Sequence, residues 1–397
     1  MSRPTLEVAD IFRAAGGSFL HHNRSHIAWP QLKAMRAIER CRTAALGGHR
    51  DHCSGCGQDL GLSYNSCRNR HCPKCQAQAR HQWIARRIAD LVPAGYFHVV
   101  FTVPHQLSAL MLQNKRVLYS LLFRASSETL LEVASNPKHL GAEIGFLGVL
   151  HTWGQTLEHH PHVHYVVPQG GFNADRSAWI GPRTPRFFLP VKVLSEVFRG
   201  KFVDYLRRLF RRGKLQFHGS LRFLAEPRAF ARFLQSLHQH KWVAYAKKPF
   251  GGPEYVLRYL AQYTHRVAIS NHRLLSFEDG KVTFRWRDYA HGNKKRKMTL
   301  AAPEFIRRFL LHVLPRGFVR IRQFGWMANC CRRRLAALCR SLLPAQPMPS
   351  ALSEAGTPLN SPRCCPFCGG AVAVAEIFSA RQLQRFAQRQ TRATDSS

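Results

Sequence analysis

The sequence predicts an α+β fold built around an antiparallel sheet, and three observations lead to this class. First, β-branched and aromatic runs typical of strands occupy residues 96–104, 144–151 and 162–167. Second, helical spacing of apolar residues occupies 105–140, 191–212 and 227–240. Third, these elements do not alternate in the βαβ rhythm that a parallel, doubly wound sheet requires.

The chain opens with helical spacing over residues 5–45, where Leu32, Met35 and Ile38 stand among basic residues. Residues 49–76 have no apolar period and are rich in Cys, His, Gly and Asn. A segment of this composition has no core of its own, so we expect it to fold around a metal ion. A basic helix near residues 76–92 then leads to the first strand.

The later elements carry clear turn signals. The strand at 96–104 ends at Pro104, which cannot donate a ladder hydrogen bond. Gly170-Gly171 provides a turn after the strand at 162–167. Pro253 stands at the start of another predicted helix, where its missing N–H costs nothing. Asp279-Gly280, between runs of alternating polarity, predicts a β-hairpin.

The charge balance points to a polyanionic partner. Lys and Arg total 59 against 22 Asp and Glu, a formal net charge of +37. Such an excess repels itself unless a polyanion neutralises it, so nucleic acid is the expected partner. A generically basic protein or a membrane-surface binder explains the charge less well, because the basic residues are spread over the whole chain instead of one amphipathic helix.

No run approaches the roughly 18 uninterrupted apolar residues of a membrane-spanning helix. The residues after Met1 also lack the apolar core of a signal peptide. We therefore expect no membrane partner and a cytoplasmic location. Because thiols stay reduced in that compartment, the 12 cysteines are interpreted as metal ligands or buried thiols and not as a disulfide framework.

Two Cys-x-x-Cys pairs, Cys53 with Cys56 and Cys72 with Cys75, predict one structural zinc ion. Four protein ligands fill a tetrahedral ion and leave no position for a reacting water. Buried free cysteines are the alternative, although a polar segment offers four thiols no core to enter. Further candidate ligands are Cys41, His49, His52, Cys67 and His71. A second zinc ion at Cys41, His49, Cys67 and His71 is the less simple account.

Basic residues lie among these ligands, and we predict that Arg68, Arg70 and Lys74 contact DNA phosphates. A third Cys-x-x-Cys pair, Cys365 with Cys368, lies near the C-terminus and forms only half a site. The candidates to complete it are Cys330, Cys331 and Cys339.

The strand at 162–167 carries His162 and His164, whose rings share one face because side chains at i and i+2 point the same way. Two neutral imidazoles can anchor one divalent ion and leave positions open for phosphate oxygens and water. Gln155 is the first choice for a third ligand, since an uncharged oxygen leaves the metal's charge available. Other candidates are His151, Glu158 and His160. The alternative is a set of hydrogen-bonded strand histidines.

Tyr259 and Tyr263 are spaced i and i+4, which places both phenols on one face of a helix. A phenol of pKa about 10 must lose its proton to attack a phosphodiester. A metal-polarised phosphate and nearby His265 or Arg266 would ease this loss. The product, a phosphotyrosine, conserves the bond energy, and two phenols allow two strand ends to be held in succession. Ordinary core packing is the alternative.

Three stretches resemble the two-tyrosine HUH (histidine-hydrophobic-histidine) transposases of rolling-circle bacterial insertion sequences. They are Tyr-Asn-Ser-Cys-Arg-Asn-Arg-His-Cys-Pro-Lys-Cys-Gln at 64–76, His-Val-His at 162–164, and Tyr-Leu-Ala-Gln-Tyr-Thr-His-Arg-Val-Ala-Ile-Ser-Asn at 259–271. The resemblance runs from residue 30 to residue 330 and keeps the family's order of zinc module, histidine strand and tyrosine helix, with Phe-Gly-Trp-Met-Ala-Asn following at 324–329.

The resemblance implies a ferredoxin-like, antiparallel-sheet HUH nuclease core with an N-terminal zinc-binding module and helical additions. It also implies a catalytic Mg²⁺ or Mn²⁺ ion and the nicking and joining of single-stranded DNA at element ends. By this resemblance His162 and His164 are ligands of the catalytic ion, and Tyr259 and Tyr263 are the nucleophiles. It leaves open which tyrosine attacks first, the third metal ligand and the oligomeric state.

Five segments are therefore expected. They are a helical N-terminal segment (1–40), a zinc-binding domain (41–90), an HUH nuclease domain with the tyrosine helix (91–275), a basic hairpin and helical DNA-contacting region (276–345), and a loosely ordered tail (346–397).

A basic loop is predicted at 291–297, between two apparent strands and beside Trp286 and Tyr289. Positive charge next to aromatic rings suits single-stranded DNA, because phosphates are neutralised while bases stack. The predicted contacts are Lys294, Lys295, Arg296 and Lys297, together with Arg266 beside the tyrosines. A solvated charged face is the alternative.

These features predict a DNA transposase that nicks and rejoins single-stranded DNA through a 5′-phosphotyrosine intermediate. A plasmid-type replication initiator or relaxase with the same chemistry is one alternative. A non-catalytic, zinc-dependent DNA-binding regulator is another.

Overall fold

The computed structural model describes residues 4–75, 91–184, 188–250, 268–289, 291–343 and 364–385. The chain forms two compact units. The N-terminal unit comprises Met1–Gln82, His265–Val313 and Ala351–Ser397, and the central unit comprises Trp83–Thr264 and Leu314–Ser350. The predicted tyrosine helix and most of the predicted basic helix near 76–92 lie outside the described residues.

The described helices are α1 Val8–Asn23, α2 Trp29–Glu39, α3 Ser108–Gln113, α4 Lys115–Ser135, α5 Val191–Arg211, α6 Pro227–Gln239, α7 Ala302–Leu311 and α8 Arg332–Leu342. The described strands are β1 Gly48–Cys53, β2 Asp59–Tyr64, β3 Tyr96–Thr102, β4 Gly145–Trp153, β5 His159–Pro168, β6 Gly171–Phe172, β7 Trp179–Ile180, β8 Val243–Phe250, β9 Leu274–Glu278, β10 Lys281–Asp288, β11 Lys294–Ala301, β12 Ile321–Gly325 and β13 Val372–Phe378. None of these helices is both long and apolar enough to cross a membrane.

A five-stranded sheet in the order β12-β4-β5-β3-β8 forms the middle of the central unit. Every neighbouring pair in this sheet is antiparallel. Along the chain, α3 and α4 connect β3 to β4, a short turn joins β4 to β5, and α5 and α6 precede β8. The predicted mixture of helices with an antiparallel sheet is therefore confirmed.

One face of this sheet is the apolar core of the central unit. Alternate residues of β3 and β5, among them Phe101 and Tyr165, point toward α4 and α5, where they are buried with Phe198. The Phe101 and Phe198 rings meet edge to face with their centroids 5.0 Å apart. The Tyr165 hydroxyl, which enters this core, lies 2.7 Å from the Ser126 hydroxyl of α4.

The opposite face of the sheet has two parts. At one end Tyr96, Val149 and Val166 pack against Trp326 and the buried side of α8. At the other end the same face carries histidines from β3, β4 and β5. The second part therefore presents polar side chains on this face of the sheet, and His98, His151 and His164 among them are buried.

The N-terminal unit contains two three-stranded antiparallel sheets, β13-β1-β2 and β11-β10-β9. Helices α1 and α7 pack through the Phe12 and Phe309 rings, whose centroids lie 5.3 Å apart. The Gln31 side-chain amide of α2 donates to the Leu310 carbonyl oxygen at 2.9 Å. Asp279 and Gly280 both have positive φ, as the predicted Asp-Gly hairpin between β9 and β10 requires.

The structure corrects three parts of the predicted organisation. The basic loop at 291–297 is only a short turn, because strand β11 begins at Lys294 and pairs with β10. The predicted region 276–345 is divided at Val313 between the two units. The predicted loosely ordered tail contains β13, whose backbone pairs with β1 along its whole length. β13 lacks the alternation of apolar and polar residues that marks a half-buried strand, so its pairing with β1 is what identifies it.

Gly325, at the end of β12, lies against the backbone where β4 begins. It has φ +58°, and a Cβ atom there would lie 1.9 Å from the Ile144 carbonyl oxygen. We expect Gly325→Ala to lower the free energy of unfolding by several kcal/mol, because the left-handed φ alone costs about 1–2 kcal/mol and the backbone clash adds to it. Urea denaturation of the purified variant measures the loss.

Gly317→Ala is the matched control for this substitution. Gly317 also has a positive φ of +71°, but a Cβ atom there would meet nothing within 4 Å. In the control, the free energy of unfolding should fall only by the cost of placing alanine at a left-handed φ. Equal losses for both variants would contradict the close approach of β12 to β4.

Candidate functional site

Three imidazoles converge on the polar face of the central sheet. His162 and His164 lie on β5, and the register of the sheet places His151 of β4 directly opposite His162. One ring nitrogen of each residue lies within 4.8 Å of one nitrogen of each of the others. The centroid of the His151 ring is 5.3 Å from that of His162 and 4.2 Å from that of His164. This spacing suits a single metal ion held by three nitrogen ligands.

The protonation state of His162 also suits a ligand. Its Nδ1 lies 2.6 Å from the His160 carbonyl oxygen, which can only accept a hydrogen bond. Nδ1 therefore carries the ring proton, and the lone pair of Nε2 is left for a metal. Burial, followed by the charge of His160, lowers the pKa of His162 to about 3. The imidazole is thus neutral near pH 7, as metal binding requires.

His98 of β3 orients the third member of the cluster. Its Nε2 lies 2.7 Å from His164 Nδ1, and the two rings are nearly parallel, with an interplanar angle of 7°. If Nδ1 of His164 donates this bond, His98 is the acceptor and Nε2 is the His164 nitrogen that can bind a metal. A buried partner of this kind fixes both the tautomer and the direction of a ligand.

His162 and His164 therefore share one face of β5, as predicted, and the structure brings His151 next to them. His151 was a secondary candidate and occupies the third corner of the cluster. Gln155 lies in the turn between β4 and β5, and its role as a ligand stays a prediction. His98 was not predicted from the sequence. A single histidine within the apolar run of β3 was the available signal, and its meaning is clear only once β3 is paired with β5.

Not every histidine of β5 belongs to the cluster. His159 points to the core face, where its Nδ1 contacts the Ser108 hydroxyl and its Nε2 contacts the Tyr119 hydroxyl, each at 2.8 Å. His160 is exposed, and its ring centroid lies 5.2 Å from that of His162. Alternation along the strand thus separates the structural His159 from the cluster.

The predicted nucleophiles Tyr259 and Tyr263, and the predicted DNA contact Arg266, lie outside the described residues. Their convergence with the imidazole cluster stays a prediction.

Eight cysteines of the N-terminal unit form two separate clusters, which corrects the predicted single zinc site. Cys72 and Cys75 lie with Cys41 and Cys67, whereas Cys53 and Cys56 lie with Cys365 and Cys368. The local pairs were predicted correctly as pairs but combined wrongly. The reason is that Cys53 ends β1 and Cys56 lies in the turn to β2, and the pairing of β13 with β1 brings the cysteines that precede β13 to the same place.

The first cluster, called here the proximal cluster, consists of Cys41, Cys67, Cys72 and Cys75. The Cys75 sulfur lies 3.5 Å from that of Cys41 and 3.6 Å from that of Cys67. Hydrogen bonding within the cluster, first from Cys41, lowers the pKa of Cys75 well below its ordinary value. The predicted extra ligand His71 instead places its Nδ1 3.1 Å from the Asn69 side-chain oxygen.

The basic residues near the proximal cluster differ in their availability to DNA. Lys74 is largely buried in an ion pair with Glu7, so its charge is already balanced. Arg70 is half-buried, and desolvation lowers its pKa. Arg68 is exposed. Of the three predicted phosphate contacts here, Arg68 is the one whose side chain faces solvent.

The four basic residues of β11 are all exposed. They are Lys294, Lys295, Arg296 and Lys297. Arg296 lies 3.0 Å from the Asp288 carboxylate, whereas no such acidic contact involves the three lysines among the described ion pairs. The strand therefore presents positive charge on both faces of the hairpin.

Comparisons with known proteins agree on one class. A family model described as "Putative transposase" matches residues 145–334, and one described as "Transposase zinc-binding domain" matches residues 11–103. The chain therefore belongs to the transposase family of rolling-circle insertion sequences, with that family's N-terminal zinc-binding domain. The resemblance stated from the sequence is confirmed.

Two relatives illustrate this membership. The chain is 54% identical over 343 residues to "Putative transposase y4qJ" of Sinorhizobium fredii, an alignment that covers 86% of this chain and 85% of that protein. It is 28% identical over 328 residues to the "Transposase for insertion sequence element IS801" of Pseudomonas savastanoi pv. phaseolicola, which covers 81% and 76% respectively. No solved structure matches the chain.

Proposed function

We propose that this transposase is a metal-dependent tyrosine nuclease and strand transferase that acts on single-stranded DNA at element ends. The observation that carries the proposal is the cluster of His151, His162 and His164 on the polar face of the central sheet. Neutral imidazoles that converge on one ion are a means of placing a cation against a phosphodiester.

The topology of the central unit supports an HUH nuclease core. In chain order β3, α4, β4, β5, α5 and β8 follow a β-α-β-β-α-β path, apart from the short elements inserted between them. The four strands lie in the order β8-β3-β5-β4, with every neighbour antiparallel. This arrangement is the one expected of a ferredoxin-like sheet, and β12 extends it at the β4 edge.

The donor set of the cluster fits a divalent transition ion. Three imidazole nitrogens bind first-row transition ions better than Mg²⁺, which prefers oxygen ligands. Of the two cofactors expected from the family, Mn²⁺ is therefore the tighter fit. When bound, the ion would stabilise negative charge on the scissile phosphate oxygens. His162 and His164 would hold it, with His151 as the third ligand and Gln155 as an additional oxygen donor.

The covalent step belongs to the tyrosines. The phenol oxygen of Tyr259 or Tyr263 attacks the scissile phosphorus while its proton passes to a neighbouring base, for which His265 is the nearest candidate in the sequence. The bond from phosphorus to the 3′ oxygen breaks, and that oxygen takes a proton from water and leaves as a hydroxyl group. The protein then holds the 5′ phosphate, and attack by another 3′ hydroxyl reverses the step without ATP.

Single-stranded DNA also fits the surface of the N-terminal unit. Exposed lysines on β11 offer phosphate contacts, and Tyr289 near the turn, which is 60% exposed, is an aromatic ring on which a base can stack. The cysteine clusters have a structural role, because four thiolates complete the tetrahedral coordination of a zinc ion and leave no position for a substrate.

The direct test is a covalent adduct between protein and DNA. The full chain is incubated with Mn²⁺ and oligonucleotides from candidate element ends, and the products are separated under denaturing conditions. An oligonucleotide labelled at its 3′ end should give a labelled protein, whereas one labelled at its 5′ end should give only a shorter free strand. This polarity follows because the tyrosine keeps the 5′ phosphate.

Three variants sharpen this test. Tyr259→Phe combined with Tyr263→Phe should abolish the adduct, and His162→Ala should do the same while leaving most of the DNA affinity, since phosphate contacts are spread over many cations. Tyr255→Phe, four residues before Tyr259 in the sequence, is the matched control and should retain the adduct. DNA binding without any adduct in the wild-type protein would contradict the enzymatic proposal and favour a DNA-binding regulator.

A second prediction concerns His98 as a positioning residue. His98→Leu removes the acceptor for His164, so the dissociation constant for Mn²⁺ should rise about 10–100-fold. His98→Gln retains an oxygen acceptor and should restore part of the affinity. Isothermal titration with Mn²⁺ alone measures both, and circular dichroism checks the fold. Unchanged Mn²⁺ affinity in His98→Leu would show that the bond to His164 does not support a metal ligand.

A third prediction concerns β11. Replacing Lys294, Lys295 and Lys297 by Gln should reduce the slope of log Kobs against log salt for single-stranded DNA by about 2, since each phosphate contact contributes about 0.7. Fluorescence anisotropy over a salt series measures the slope. The equally charged control replaces the exposed Lys138, Lys192 and Lys214 of the central unit by Gln. Equal changes in both variants would mean that total charge, and not β11, determines binding.

A further inference from the structure

The second cysteine cluster, called here the distal cluster, joins segments from opposite ends of the chain. Cys53 and Cys56 come from the turn between β1 and β2, and Cys365 and Cys368 come from the turn that precedes β13. The sulfur of Cys53 lies 3.4 Å from that of Cys368, and the sulfur of Cys56 lies 3.8 Å from that of Cys365. All four sulfurs lie within 4.8 Å of one another, as ligands of one tetrahedral ion do.

The two halves of the distal cluster have the same backbone geometry. In the first, the Gly57 amide donates to the Cys53 carbonyl oxygen at 3.0 Å, and in the second the Gly369 amide donates to the Cys365 carbonyl oxygen at 2.9 Å. Both glycines have positive φ, +71° and +73° respectively. Each half is thus a Cys-x-x-Cys-Gly turn, and glycine is needed because other residues rarely adopt this conformation.

Backbone amides in both halves point at sulfur atoms. The amides of Gly55 and Cys56 donate to the Cys53 sulfur at 3.3 and 3.4 Å. The Gly370 amide donates to the Cys368 sulfur at 3.4 Å. Such bonds stabilise the negative charge of a thiolate, which is the form that binds zinc.

The backbone is also packed tightly around these sulfurs. A Cβ atom at Gly370 would lie 3.2 Å from the Cys368 sulfur and 3.3 Å from the Cys53 sulfur. The absence of a side chain at this position lets the two turns approach each other closely.

Apolar burial does not account for the position of β13. Of its residues only Phe378 is buried, and β2, on the other side of β1, has no buried residue. The strand is nevertheless paired with β1 from Phe378 to Val372, and the Ser54 amide continues the ladder by donating to the Ala371 carbonyl oxygen at 2.8 Å. A three-stranded sheet with so little core needs another source of stability.

We infer that the distal cluster binds a second structural zinc ion, which fastens the C-terminal segment Cys364–Phe378 to the zinc-binding domain. The proximal cluster binds the first. The distal site is split in sequence, because Cys53 and Cys56 lie within the matched zinc-binding domain at 11–103, whereas Cys365 and Cys368 lie beyond residue 334, where the second family match ends. The C-terminal segment is therefore part of the zinc-binding domain.

Metal analysis of the intact protein tests this inference without DNA or activity. The full chain, purified under reducing conditions, should contain two zinc ions per molecule by plasma mass spectrometry. Cys365→Ser combined with Cys368→Ser should contain one, and Cys72→Ser combined with Cys75→Ser should also contain one. The matched control, Cys330→Ser combined with Cys331→Ser, changes an adjacent pair in the central unit and should retain two.

Limited proteolysis provides a second measurement on the same proteins. Loss of the distal zinc should expose 364–378 to cleavage while circular dichroism stays close to that of the wild type. Two zinc ions in the Cys365→Ser and Cys368→Ser variant would overturn the inference. Disulfides linking Cys53 to Cys368 and Cys56 to Cys365, found in the zinc-free wild-type protein by non-reducing peptide mapping, would overturn it as well.

Discussion

The antiparallel register between β4 and β5 is the constraint on which the candidate active site depends. It sets His151 opposite His162, and the alternation of β5 adds His164 to the same face. Val163, between His162 and His164, and Tyr165, directly after His164, are buried in the core on the other face. A slip of one residue would move the imidazoles into that core and the apolar side chains to the polar face, so the register is fixed by hydrophobic burial. The apolar core of the central unit therefore positions the imidazole cluster, although the two lie on opposite faces of the sheet.

The two units are stabilised in different ways. The central unit has a large apolar core between its sheet and helices α4 and α5. In the N-terminal unit the sheet β13-β1-β2 buries few side chains, and cysteine clusters lie at the ends of its strands. In the central unit the proposed metal would serve catalysis on a scaffold that is already rigid. In the zinc-binding domain the metals would instead replace a missing core, so their removal is expected to affect the fold before the chemistry.

Much of the fold follows from local patterns in the sequence. The strands with β-branched runs, the helices with apolar stripes, and the Asp-Gly hairpin all lie close to their predicted positions. The histidine pair was predictable for the same reason, since spacing of i and i+2 fixes the face of a strand without knowledge of its neighbours. Strands β8, β12 and β13 were missed because each depends on a partner strand more than on its own pattern.

Long-range pairing explains what the sequence did not reveal about the sites. A Cys-x-x-Cys spacing shows that two thiols share an ion but not which second pair completes it, so Cys53 and Cys56 were combined with the nearest pair in sequence instead of Cys365 and Cys368. His151 and His98 became distinguishable from other histidines only when β4 and β3 were placed beside β5. The central claim, that His151, His162 and His164 form one metal site, is tested most directly by anomalous diffraction from crystals of the protein loaded with Mn²⁺. The account predicts one manganese peak within coordination distance of all three imidazoles, and a manganese-loaded crystal with no peak between them would contradict it.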